Sequence, residues 1–254
     1  ALLPGGTASA FALLRLPKSS GIVAGLLLSV SSVMLTQFFN QNSASLLGLC
    51  IAPLAFAGLI RMLRPRPDDR SAWRWVYAGI AALCWAGVVC VYNEMLPLTA
   101  GAAGLYALAR VVADRRALAG PFLFFVAATV MLVPVATTQF LKQLTFAREQ
   151  GVGVGVYFYP LDQPVIASAR ILGVRTYYEI GVPWWAWPLF ALVAAGFLLV
   201  VRNSADRILW LALPLNVFVI VRQLANGQRW YSQQRAVEVG TFMVLFAVLA
   251  GWAT

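Results

Sequence analysis

The sequence contains no histidine and little charge: 19 Lys/Arg and 9 Asp/Glu make up 11% of its 254 residues. Soluble domains carry about 25% charged residues, so a soluble globular fold is excluded. Disorder is excluded as well, because 61% of the residues are hydrophobic and disordered chains are poor in apolar residues. Without histidine this chain has no His-ligated haem, His-rich zinc site or Ser-His-Asp triad. Cysteine is scarce too. Cys50, Cys84 and Cys90 lie in apolar runs and read as buried structural thiols. What remains is a strongly apolar chain with a net charge of +10. In a soluble protein that excess would point to nucleic acid; in a polytopic membrane protein it reports orientation.

A membrane-spanning helix needs about 20 apolar residues. Candidate spans are 19–38, 43–60, 75–92, 95–109, 117–137, 183–201 and 208–221, with partial spans at 1–14 and 240–253. Their apolar residues run on without the alternation of a barrel strand. The sequence therefore predicts an all-α, polytopic transmembrane helix bundle. It has about seven full spans, a partial span at each end, and one long outer loop carrying short interfacial helices. The whole of 1–254 reads as a single transmembrane domain with 138–182 inserted as an extracytoplasmic loop. The chain opens on apolar sequence without an initiator Met or a basic n-region, so it reads as a fragment rather than as a signal peptide.

Charge placement sets the predicted orientation. The short stretches Arg15–Lys18, Arg61–Arg74, Arg110–Arg116 and Arg202–Arg207 hold twelve Lys/Arg and four Asp. All four fall on one side if the spans alternate, and the positive-inside rule puts that side in the cytoplasm. Orientation accounts for the basic excess, so no nucleic-acid partner is expected; the partner is the lipid bilayer. Trp73 and Trp75 at one boundary, and Trp184, Trp185 and Trp187 at another, read as interfacial anchors.

The outer side carries the unusual polar residues. Its long loop holds a predicted interfacial helix at 139–150, an alternating Gly-Val connector at 151–156, and an aromatic, turn-rich entry into a second short helix near 165–172. The connector lacks the spacing of a dinucleotide fingerprint. Asn40, Gln41 and Asn42 form a tight hairpin whose amides suit a ligand hydroxyl, and equally a solvated turn. In Tyr92-Asn93-Glu94-Met95-Leu96-Pro97, Glu94 is the sole acidic residue between Asp69 and Asp114. A carboxylate where two apolar segments meet faces a cavity or partner, or reaches headgroup water and favours the start of the next helix. In Arg229-Trp230-Tyr231-Ser232-Gln233-Gln234-Arg235, Tyr231 and Arg235 share a helix face. Arg235 there suits a lipid phosphate, or a pairing with Glu238 or headgroups.

These segments resemble the GT-C type of bacterial membrane glycosyltransferases, which use polyprenyl-phosphate sugars at the outer face of the membrane. The hairpin from Phe39 to Gly48 is similar to their Asn-containing outer hairpin. Residues Tyr92 to Pro97 are similar to their Tyr-x-Glu-x-x-Pro pattern, and Tyr231 to Arg235 to their Tyr-x-x-x-Lys/Arg stretch before a late span. The resemblance implies an integral protein of the bacterial cytoplasmic membrane that moves a hexosyl or pentosyl group from a polyprenyl-phosphate-linked sugar. It implies Glu94 as the catalytic carboxylate, and Asn40, Gln41, Tyr92, Tyr231 and Arg235 as substrate-binding residues. Arg235, with Arg229 and Arg222, would hold the lipid phosphate. The family's essential acidic residue in the first outer loop would lie upstream of Ala1. Some members use a divalent cation, but no ligand cluster here requires one, and no metal residues are assigned. The other classes open to this sequence are a non-catalytic scaffold or assembly subunit, and a transporter or flippase. Internal repeats and mid-membrane charges, which a transporter favours, are not evident.

Overall fold

A computed structural model describes residues 2–29, 43–64, 71–91, 95–132, 165, 183–203, 206–226 and 248. The described residues are all-helical, as expected. Eight helices lie among them: α1 (Leu2–Leu13), α2 (Lys18–Ser29), α3 (Ser43–Leu63), α4 (Ser71–Val91), α5 (Met95–Ala113), α6 (Arg115–Leu132), α7 (Ala186–Asn203) and α8 (Arg207–Asn226). Among the described residues three helical segments are long and apolar enough to cross a membrane: Ser71–Cys90, Arg115–Leu132 and Ala186–Asn203. At 1.5 Å per residue the shorter two reach about 27 Å, close to the thickness of a bilayer's hydrocarbon core. Apolar helices at Leu47–Leu63, Ala100–Ala113 and Arg207–Ile220 are shorter.

Local chemistry explains where several helices start and stop. Three backbone bonds close α1: Leu14 N–H to Ala10 O, Arg15 N–H to Ala12 O, and Leu16 N–H to Phe11 O. The last two are the paired bonds of a Schellman cap. The residue such a cap puts in the left-handed region is Arg15, at φ 57°, where glycine is the usual occupant. Pro17 follows, and its carbonyl accepts from Gly21 to open α2. At Asp114 the chain passes from α5 to α6: its N–H donates to Arg110 O and its carbonyl accepts from Leu118. An Asp at this N-terminal position favours the following helix. Asp206 opens α8 similarly, its carbonyl accepting from Leu209 and Trp210. Prolines 53, 121 and 214 lie inside α3, α6 and α8, a habit more tolerable in membrane helices than in soluble ones.

Helix α3 is the centre. Leu49, Phe56, Leu59, Met62 and Leu63 are all buried, and α3 packs on α1, α4, α5 and α6. It runs antiparallel to α4: Gly58 lies against Ala81, Gly87 against Ile51 and Arg61 against Tyr77. A Cβ on Gly58 would stand 3.2 Å from the Ala81 Cα, so small residues let these backbones close. Helices α5 and α8 are antiparallel, with Gly101 against Asn216 and Tyr106 against Asp206. Helix α6 runs parallel to α4, with Arg74 on Ala117, Trp75 on Gly120 and Gly79 near Phe124. In the N-terminal hairpin, Thr7 Oγ1 donates to Gly21 O at 2.8 Å, and Gly25 abuts Pro4.

The outside is apolar. Leu83 on α4, Leu108 and Val112 on α5, Leu123 and Val130 on α6, Leu198 on α7 and Leu215 on α8 are all exposed. Exposure repeated on five helices exceeds the scattered apolar residues of a soluble surface. It matches helices facing lipid and, with the three helices long and apolar enough to span, suggests a membrane protein. Trp73, Trp75, Trp184 and Trp187 are exposed near helix starts, while Trp185 is half-buried. Within 138–182 only Val165 is described. It is helical and packs with Ala186; the two interfacial helices expected there lie outside the described residues.

Candidate functional site

Of the residues that the sequence marks for function, Arg222 alone is described. It is exposed, in the last turns of α8. Asn40, Gln41, Tyr92, Glu94, Arg229, Tyr231 and Arg235 lie outside the described residues. Their neighbours in the chain are described, however, and these fix which helix ends adjoin them. Helix α4 ends at Val91, α5 begins at Met95, α3 begins at Ser43 and α8 ends at Asn226.

The opposite ends of the same helices converge on a polar network. Its centre is Asp206, only 8% exposed. The Tyr106 hydroxyl on α5 donates to Asp206 Oδ1 at 2.5 Å. Arg64, just past α3, donates from Nη1 to Oδ2 at 3.2 Å, forming an ion pair whose Arg side chain is 46% exposed. Arg110 on α5 donates from Nε and Nη2 to Leu63 O, both at 3.3 Å. That carbonyl belongs to the end of α3, where cations are favourable. Beside it Arg61, 3% exposed, donates from Nη2 to the Tyr77 hydroxyl at 3.1 Å, and its guanidinium carbon lies 5.0 Å from the Tyr77 ring centre. On the flank, Arg74 Nη1 donates to Ala117 O at 3.2 Å.

Three of the four basic segments thus meet at one end: 61–74 with 110–116 through Arg110 and Leu63, and 61–74 with 202–207 through Arg64 and Asp206. The arginines counted in the sequence only as markers of orientation do more than that. They join α3, α5 and α8 across long stretches of chain. The network is built to hold helices together. Its carboxylate is already engaged by a hydroxyl and a guanidinium.

The sequence reading passed over Tyr106 and Asp206. One signal was present: Asp206 is the sole acidic residue between Glu179 and Glu238, the same isolation that singled out Glu94. Cys50 and Cys84 are buried, as expected, while Cys90 is half-buried. Among the described residues no three His, Cys, Asp or Glu side chains gather as a metal site. In comparisons with known proteins, no family model, no curated protein and no solved structure matches this chain.

Proposed function

We propose that the chain is a membrane glycosyltransferase domain of the GT-C type, transferring a sugar from a polyprenyl-phosphate donor at the outer face of the bacterial cytoplasmic membrane. The seven-span topology, with the basic segments cytoplasmic and 138–182 outside, belongs to the same proposal. The observation that carries it is the segment Tyr92-Asn93-Glu94. It joins the end of α4 to the start of α5, the helix ends remote from the arginine network. An isolated carboxylate at a membrane boundary is costly and is kept for a task.

In this reading Glu94 accepts the proton of the acceptor hydroxyl. The hydroxyl oxygen bonds to the anomeric carbon as the bond to the phosphate oxygen breaks. Arg235, with Arg222 and Arg229 as neighbours, stabilises the departing lipid phosphate. Asn40, Gln41, Tyr92 and Tyr231 orient the sugar, and the 138–182 loop excludes water.

The test is transfer of labelled sugar from a polyprenyl-phosphate donor in proteoliposomes. Glu94→Gln lowers the rate at least about 100-fold, the usual scale for losing a general base. Arg235→Ala raises the donor KM and lowers kcat. Full activity in both variants removes these residues from the mechanism. A folded wild-type chain that transfers nothing overturns the enzyme reading in favour of a scaffold, and counterflow of a labelled solute overturns it in favour of a transporter.

A further inference from the structure

We propose that the paired starts of α4 and α6 form a binding surface for the headgroups of anionic phospholipids. The surface has two components. One is cationic: Arg115 and Arg116 are exposed at the start of α6, and Arg74 lies half-buried beside them on α4. The other is amphipathic aromatic: Trp73 and Trp75 flank Arg74, and each is 48% exposed.

The parts are held in place by contacts that leave the charges outward. Trp73 stacks on Tyr77, with ring centres 6.0 Å apart. Trp75 meets Phe124 edge-on at 5.7 Å and covers Gly120. Arg74 donates to Ala117 O, which binds the start of α4 to the start of α6. The two helices run parallel, so the basic and aromatic side chains of both arrive at the same level. Immediately toward the helix middles the surface becomes apolar, with Val76 and Leu123 exposed. The sequence from cation through tryptophan to apolar side chain is that of a bilayer's own layers: phosphate, interface, hydrocarbon.

Charge complementarity selects the occupant. Among the described residues the local groups are three arginines and one exposed carboxylate, Asp114, at the start of α6; in the sequence just before α4, Asp68 and Asp69 are matched by Arg66 and Arg70. The net excess is positive. A neutral zwitterionic headgroup brings its own cation into this surface, whereas an anionic one does not. Arg115 and Arg116 are exposed and stand clear of the Asp206 network, so their loss leaves the bundle intact.

The proposal rests on the helices lying in a bilayer. It is tested with the full chain purified in a non-ionic detergent, by titrating phosphatidylglycerol or phosphatidylcholine and counting bound lipids by native mass spectrometry. Each basic side chain near an anionic surface is worth roughly five-fold. R115Q/R116Q therefore weakens phosphatidylglycerol binding about 25-fold and leaves phosphatidylcholine unchanged, while R115K/R116K keeps most of the affinity. A matched charge loss elsewhere, K18Q/R202Q, weakens binding by clearly less, because no tryptophan flanks Lys18 or Arg202. Equal binding of the two lipids by the wild-type chain overturns the proposal, as does an equal loss in the matched variant. A chain that alkaline carbonate extracts from membranes shows instead that the membrane reading itself is wrong.

Discussion

The Asp206 network makes a graded prediction, because its three members differ in burial. Replacing Asp206 by Ala removes the acceptor for Tyr106 and the partner of Arg64. A hydrogen bond to a charged group contributes about 1.5–3 kcal/mol in soluble proteins; interhelical bonds in membranes average about 0.6 and reach about 1.7 kcal/mol. The bond between Tyr106 and Asp206 is short and buried, which places it near the top of the membrane range, at about 1.5 kcal/mol. Arg64 is 46% exposed, so solvent screens its ion pair to below about 1 kcal/mol. Stranding a buried tyrosine hydroxyl adds at least about 1 kcal/mol. Asp206→Ala should therefore cost about 3 kcal/mol, Tyr106→Phe about 1.5, and Arg64→Gln less than about 1.

The double variant Asp206→Ala/Tyr106→Phe should cost about 2 kcal/mol, less than Asp206→Ala alone, because both changes remove the same bond and the phenylalanine leaves no hydroxyl stranded. Unfolding of the purified chain by SDS in mixed micelles measures all four values. Strict additivity would refute the reasoning. So would an Arg64→Gln cost equal to that of Asp206→Ala, since that would place the stability in the exposed ion pair.

Three further outcomes follow from local geometry. Arg15 occupies the left-handed position of the α1 cap, which costs an L-residue about 1–2 kcal/mol; Arg15→Gly should raise stability by about 1 kcal/mol and Arg15→Ala should not, by the same SDS assay. Gly25 lies against the Pro4 backbone and the Thr7 hydroxyl, so Gly25→Val should cost about 1–3 kcal/mol by overpacking, with α1 and α2 losing protection in hydrogen exchange. Cys50 and Cys84 are buried and Cys90 half-buried; a maleimide should label Cys90 first in the native chain and the other two only after unfolding.

The apolar runs made the helical class legible, since nothing but helix or barrel satisfies a backbone in lipid and no alternation suggests a barrel. Helix starts at Ser43, Met95 and Arg207 lie close to the span starts drawn from hydropathy alone. The ends fared less well. Helix α5 continues to Ala113 through Arg110, because a long arginine can bury its stem and turn its charge to a carbonyl at the end of α3. The cap at Arg15 was illegible, because cap signals rest on glycine and here tertiary packing of Leu16 holds an arginine in its place.

The pairing of Tyr106 with Asp206 was illegible for a different reason. The two are 100 residues apart, and no local pattern encodes which helices become neighbours. Charge counting gave Asp206 and Arg61 one meaning, orientation, where the fold gives them a second as interhelical fasteners. Glu94 and Arg235 lie outside the described residues and enter the proposal on sequence motif alone.

The account divides the bundle into an arginine-rich cytoplasmic end and a chemically active outer end, and cysteine labelling tests that division most directly. In a background with Cys50, Cys84 and Cys90 replaced by Ala, single variants Asn93→Cys and Arg116→Cys are expressed in cells and treated with a membrane-impermeant maleimide. The account predicts labelling of the Asn93→Cys variant in intact cells, and of the Arg116→Cys variant only after permeabilisation. Labelling of the Arg116→Cys variant in intact cells, with the Asn93→Cys variant protected, would contradict it.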